Sequence, residues 1–238
     1  MIRSFDVSQR RLQDELMDQP ELDAARHQRA LAALARINFL SGSARILWPA
    51  IRRLVRQDPQ RQWRLLDVAT GAGDVPTALW RKARREGIRL EVAGCDISER
   101  ALEHARLRAE RAQAPVRFFR CDALGEGLPE GYDIVTSSLF LHHLDEAKAV
   151  ELLRKMAAAA QNLALVNDLE RRPAGLALAH LAVRALTRCD VVHVDGPRSV
   201  EGAFTCEEAR DLCRQAGLRD VTIERRWPCR YLLAWRRP

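Results

Sequence analysis

Apolar residues recur in two different rhythms along the chain. In the first part they fall at helical spacing between arginines, as Leu31, Leu34, Ile37 and Leu40 and again as Ile46, Leu47, Ile51 and Leu54, with no strand-like alternation. That period puts each set on one helix face, and it predicts an all-helical cap over residues 1–60. From Trp63 onward the texture changes to short apolar runs alternating with amphipathic stretches. This is the pattern of a parallel sheet covered by helices, so residues 61–238 read as one α/β domain.

Within that domain the first strand is Arg64 to Ala69, followed by a helix that Pro76 opens and Gly87 stops. A second strand, Leu90 to Cys95, is closed by Asp96-Ile97-Ser98, after which Ala101, Leu102 and Ala105 line the inner face of a helix. The third strand, Val116 to Phe119, ends at Cys121-Asp122. A fourth, Tyr132 to Thr136, leads through Ser137 to Leu144 into a helix capped by Asp145, with Val150, Leu153 and Met156 inward. Asn162 to Asn167 reads as the fifth strand, and Asn167-Asp168 at its end is open to a substrate contact or to capping the next helix, the cap being the favoured reading. Residues 171–204 then interrupt the regular alternation: an Ala/Leu-rich helix is expected over 174–187 and an irregular loop over 188–204. Thr205 to Glu208 forms a capping box for a helix that Gly217 closes, and Val221 to Glu224 and Tyr231 to Trp235 are the last strands.

Composition removes several function classes. Hydrophobic residues make up 47% and charged residues 30% of 238 residues, as in an ordinary folded protein with a substantial core. A net charge of +7 could attract nucleic acid. Nearly all of that excess is arginine beside acidic residues, the only lysines being Lys82, Lys148 and Lys155. No basic run alternates with aromatics, so no nucleic-acid partner is expected. The cysteines, Cys95, Cys121, Cys189, Cys206, Cys213 and Cys229, show no C-x-x-C spacing, which argues for reduced thiols and against a zinc site. The N-terminal residues lack a signal-like apolar stretch and no run approaches the ~20 residues of a bilayer span. The chain is therefore expected to be cytoplasmic, without stable membrane insertion.

The chemistry concentrates at strand ends. Leu65-Leu-Asp-Val-Ala-Thr-Gly-Ala-Gly-Asp74 places small residues between the first strand and its helix, where a ligand can lie against bare backbone. Gly71 and Gly73 allow positive φ and close approach, and amides at the helix start can receive a carboxylate. Asp96 ends the second strand, where ribose hydroxyls would meet a carboxylate acceptor, and Asp122 ends the third. Together they mark a nucleoside pocket in the crevice where open α/β sheets bind ligands. Gly71-Ala-Gly-Asp-Val-Pro lacks the third small residue of the G-x-G-x-x-G spacing, which argues against a nicotinamide dinucleotide.

With these motifs, residues 60–238 resemble a class I S-adenosylmethionine-dependent methyltransferase, particularly the branch of ubiquinone- and menaquinone-biosynthesis enzymes and small-molecule O-methyltransferases. The resemblance implies a Rossmann-like seven-stranded mixed sheet of order 3-2-1-4-5-7-6, with the seventh strand antiparallel. It implies S-adenosylmethionine as cofactor, held by a loop from Asp67 through Ala69, Thr70 and Gly71 to Gly73. Asp96 would hold the ribose, Ile97 would pack on the adenine, Asp122 and Ala123 would read its amino edge, and Ser138 would lie beside the methionine end. Ala69 stands where many members carry a first glycine, although the quinone branch often has alanine there.

The expected reaction is in-line transfer to a small aromatic acceptor, most simply O-methylation of a phenol or hydroquinone of polyketide or quinone type. A phenol with a pKa near 10 gains nucleophilicity from an adjacent histidine base. His143, with His142 as a weaker candidate, and His193 in the 188–204 stretch are the candidate bases, whereas His180 reads as a structural helix residue. Leu176, Leu178, Leu181, Val183 and Leu186 would wall an acceptor site to which residues 171–204 contribute. No metal is expected, because an already activated sulfonium needs none and no acidic ligand cluster is evident. C-methylation of a quinone precursor and a noncatalytic S-adenosylmethionine-binding protein are the alternatives, and a homodimer is compatible with either. Ser137-Ser-Leu-Phe140 replaces the Asn/Asp-Pro-Pro-Tyr of amino-group methyltransferases.

Overall fold

The computed structural model describes residues 7–16, 23, 26, 29, 30, 33 and 42–237. Its described elements run in the order α1 (Ser43–Val55), β1 (Trp63–Val68), α2 (Asp74–Arg85), β2 (Leu90–Asp96), α3 (Glu99–Arg111), β3 (Arg117–Arg120) and β4 (Tyr132–Ser138). A 3-10 turn (Leu141–His143) leads to α4 (Glu146–Ala159), β5 (Ala160–Leu169), α5 (Pro173–Leu186), α6 (Asp190–Gly202), α7 (Cys206–Gln215), β6 (Thr222–Arg226) and β7 (Arg230–Arg236). All strands join one seven-stranded sheet of order β3-β2-β1-β4-β5-β7-β6. Strands β1 to β5 pair in parallel, while β7 runs antiparallel between β5 and β6. The expected sheet order and Rossmann-like class are thus present.

Helices cover both faces, which is why the central strands are nearly continuous apolar runs. Leu66, Val68 and Val135 join a core with Leu152 and Met156 of α4 and Leu212 of α7. Their neighbours Leu65, Ile134 and Leu165 join the opposite core with Leu47 and Ile51 of α1 and Leu79 of α2. Parallel pairing carries the C-terminal ends of β1, β2, β3, β4 and β5 to one edge of the sheet, and the loops leaving that edge form the cleft described below.

Two sequence expectations require correction. Residues 188–204 are not an irregular loop, because Asp190–Gly202 forms α6 despite Gly196 and Pro197. Val191, Val192 and Val200 are buried on its inner face, and a Cβ at Gly196 would stand 2.6 Å from Val183 Cγ1 of α5. Close helix–helix contact at a residue without a side chain therefore outweighs the local breakers. Second, residues 7–15 are not helical. They form an irregular strap held from outside: Arg11 N donates to Glu201 O (3.0 Å) and Leu16 N to Asp195 Oδ1 (2.8 Å). Arg10 donates to the carbonyls of Gly202, His142 and Leu144 and lies 3.7 Å over the Phe204 ring. These bonds satisfy backbone that a helix would otherwise satisfy internally. The helix predicted from Ile46, Leu47, Ile51 and Leu54 is α1. The Leu31, Leu34, Ile37 and Leu40 series lies outside the described residues.

Candidate active site

The turn after β1 is built for close approach. Ala69 takes φ 52° and Gly71 φ 53°, so the backbone twists into the left-handed region at both positions. At Ala69 this costs about 1–2 kcal/mol, borne where the chain lines the cleft. A Cβ on Gly71 would meet nothing within 4 Å, so the glycine leaves open space on the cleft side. Gly73 is different. It caps α2 at φ 71°, and a Cβ there would stand 2.8 Å from both Ala105 Cβ and Phe118 Cζ. It does not line the cleft, so its place is to let α2 and α3 pack on β3 rather than to admit a ligand.

Carboxylates ring this loop. Asp96 Oδ2 accepts from Gly71 N (2.8 Å) and its Oδ1 from Ser98 N (2.9 Å), so one side chain ties the glycine turn to the end of β2. Asp122 Oδ1 accepts from the amides of Leu124 and Gly125 at 3.0 Å, which lowers its pKa. Asp67 is buried, and burial pushes its pKa up to about 7 against the opposing hydrogen bonds of Thr136 and Thr70. A cation reaching Asp67 would favour its carboxylate form. Ile97 is 55% exposed, an apolar side chain left bare beside Asp96. Ser138 Oγ is buried with no hydrogen-bond partner among the described residues, although it lines the cleft. Asp67, Ala69, Thr70, Gly71, Asp96, Ile97, Asp122, Ala123 and Ser138 all line this one cavity of about 720 Å³. Bare backbone, converging carboxylates and an unpaired hydroxyl fit a ligand carrying an adenosyl group, a cationic amine and a carboxylate.

The cavity continues past β4 and β5 into a chamber walled by Leu178, Ala182, Val183 and Leu186 of α5 and Val192 and Val200 of α6. His142 and His143 stand at its polar end. His142 is 4% exposed; its Nδ1 lies 2.6 Å from Asp168 Oδ1 and its backbone N donates to Asp168 Oδ2 (3.2 Å). Asp168 is therefore not the cap of the following helix but a buried partner of imidazole and backbone. Burial alone would lower the His142 pKa, but the charge and hydrogen bond of Asp168, with Glu15, outweigh it and raise it. His143, with its ring centroid 4.2 Å from that of His142, is driven the other way, down to about 3, by burial and its charged neighbour. His193 is not brought to the site: its Nε2 lies 2.8 Å from Thr187 O, and the residue does not line the cleft.

Two residues at this end escaped the sequence reading. Glu15, 6% exposed on the strap, places Oε1 4.0 Å from His142 Nε2 and 3.9 Å from His143 Nδ1. Arg230 of β7, 3% exposed, donates to Ser43 Oγ (2.7 Å), and burial lowers its pKa to about 10. Glu15, His142 and His143 present ligand-type atoms all within 4.8 Å of one another. Atoms bound to one tetrahedral zinc stand about 3.4 Å apart. The spacing seen here, 3.9–4.0 Å from Glu15 to the two rings, is wider than that and too long for a direct hydrogen bond.

Residues 65–162 match the protein family described as a methyltransferase domain. No curated protein sequence matches the chain significantly. Among solved structures, the chain is similar to the S-adenosylmethionine-dependent methyltransferase SibL in its apo form (TM-score 0.64, 24% identity, 92% of this chain and 60% of that one). It is also similar to an O-methyltransferase family 2 protein from Planctomyces limnophilus in complex with apigenin (TM-score 0.63, 16% identity, 92% and 63%). A third is the plantazolicin methyltransferase BpumL in complex with SAH (TM-score 0.65, 12% identity, 91% of each chain). The chain spans less than two thirds of the length of the first two. No helix among the described residues is long and apolar enough to cross a membrane. A methyltransferase domain therefore spans residues 65–162, set within the seven-stranded sheet of order β3-β2-β1-β4-β5-β7-β6.

Proposed function

We propose that the protein methylates the hydroxyl of a small aromatic acceptor, a phenol or hydroquinone. The observation that carries this reading is the continuity of one cleft from the Gly71 loop into an apolar chamber with an Asp168–His142 pair at its polar end. Apolar walls with a few convergent polar groups are what a flat aromatic molecule requires. The structural relative bound to apigenin, a ligand of that protein, is consistent with such an acceptor.

S-adenosylmethionine, when bound, supplies a methyl group already activated on a sulfonium. The chain's own residues then have three tasks. Gly71 with Asp96 and Asp122 would hold the adenosyl end, Ile97 and Ala123 would flank its base, and Asp67 and Ser138 would face the methionine end. The walls from α5 and α6 exclude water and orient the acceptor ring, so that alignment supplies much of the acceleration. His142 takes the acceptor's proton at Nε2, because Asp168 at Nδ1 leaves Nε2 with the lone pair of the neutral ring. The sequence favoured His143, and it remains the more open ring, with 29% of its side chain exposed. Its depressed pKa makes it the weaker proton acceptor, and it is placed here as an acceptor contact.

A panel of phenols, hydroquinones and carboxylic acids with S-adenosylmethionine tests this reading. Methyl ethers are the expected products. Methylation at ring carbon or at carboxylate, or cofactor binding without turnover of any phenol, would contradict it.

A further inference from the structure

The polar end of the chamber is completed by a residue far away in sequence. Glu15 reaches it because the strap is anchored independently, through Arg10, Arg11 and Leu16, to α6 and the residues flanking it. Its Oε1 is within hydrogen-bonding reach of the Ser199 hydroxyl of α6, which orients the carboxylate. On the other side of the imidazole, Asp168 of β5 lies 2.6 Å from Nδ1. His142 is thus flanked by carboxylates facing its two ring nitrogens, one in direct hydrogen bond and one 4.0 Å away. At 4.0 Å from Nε2 the Glu15 carboxylate is too far for a direct hydrogen bond but close enough to favour a positive charge on the ring, which leaves Nε2 to accept the acceptor's proton.

We propose that Glu15 is a positioning residue for methyl transfer, acting through His142: its carboxylate holds the imidazolium that forms when Nε2 removes the acceptor's proton. The inference rests on the phenol reading above and adds to it the origin of the base's strength. In the step, the acceptor O–H bond breaks and its proton passes to Nε2. The oxygen's electron pair forms the new bond to the methyl carbon, and the pair of the broken carbon–sulfur bond stays on sulfur. The charge left on His142 then lies between Asp168 and Glu15. The other groups facing this ring are Arg10 of the strap, which opposes protonation, and the adjacent His143; Arg230 of β7 acts on Asp168. The two carboxylates outweigh Arg10, so the proton is stabilised where it arrives.

Glu15→Gln in the full chain removes the charge while keeping the side chain's length and an oxygen for Ser199. NMR titration of the His142 ring, without any acceptor, is expected to show its pKa fall by about one pH unit. Turnover of a phenol accepted by the wild type is expected to fall about tenfold or more in kcat. The acidic limb of its pH profile moves to lower pH, because more acid is then needed to protonate a ring that has lost its carboxylate. S-adenosylmethionine affinity should be unchanged, and Glu15→Asp should restore part of the limb's position. An unchanged His142 titration, or an unshifted limb in a variant that still turns over, would overturn the proposal while leaving the phenol reading intact. Activity lost to a chelator and restored by zinc would also overturn it, since Glu15 would then be a ligand. Wild-type protein inactive on every phenol would overturn both.

Discussion

Replacing His142 by asparagine is expected to lower kcat for a phenolic acceptor by about 10²–10⁴-fold, the usual contribution of a positioned general base. Asparagine Nδ2 takes the place of imidazole Nδ1, so the buried Asp168 carboxylate keeps a donor and the fold keeps a partner for a charge it has removed from water. The affinity for S-adenosylmethionine should not change, because His142 follows β4 and the glycine loop follows β1. Single-turnover kinetics separates the two quantities. The pH profile of the wild type gives a second readout: the base must be neutral to work, and its pKa is raised above the ordinary histidine value of 6.5. Activity should therefore keep rising with pH beyond that value. A variant with unchanged kcat would take the base away from His142. The same substitution at His143, already neutral at physiological pH, should cost far less.

Gly73→Ala is expected to destabilise the protein by roughly 2–5 kcal/mol. About 1–2 kcal/mol comes from placing a β-carbon at φ 71°, and about 1–3 kcal/mol from forcing it against Ala105 Cβ and the Phe118 ring, both 2.8 Å away. Ala105 has no flexible end to retract, so backbone must move. Gly71→Ala shares only the conformational cost of about 1–2 kcal/mol, because its new methyl meets no atom within 4 Å. Urea unfolding of the two variants measures the difference. Equal losses would mean that Gly73 is not a packing contact.

These two glycines show what sequence could and could not tell. Both sit in the same loop and both looked suited to a ligand, yet only Gly71 lines the cleft. What Gly73 faces is set by α3 and β3, elements that arrive later in the chain. Features that depend on local pattern were legible: buried strands as apolar runs, the Thr205–Glu208 capping box, and acids closing β2 and β3. The sheet order came through resemblance to a known family. Features that depend on long-range contact were not legible. Asp168 ends β5 much as Asp96 ends β2, but its partner His142 is brought to it by the turn after β4. The strap that carries Glu15 reaches this turn across 132 residues, from Arg10 to His142. The helix α6 forms against its own Gly-Pro because α5 packs on that glycine.

The account turns on a cofactor held between the Gly71 amide region and the carboxylate of Asp96. Asp96 now bonds Gly71 N and Ser98 N and lines the cavity, so it both shapes the loop and faces the space a ribose would enter. Calorimetric titration of wild type and Asp96→Ala with S-adenosylmethionine is the most direct test. The predicted result is tight binding to the wild type and an affinity weakened about tenfold or more in the variant, as loss of charge-assisted hydrogen bonds brings. Equal affinity of the two proteins would contradict it.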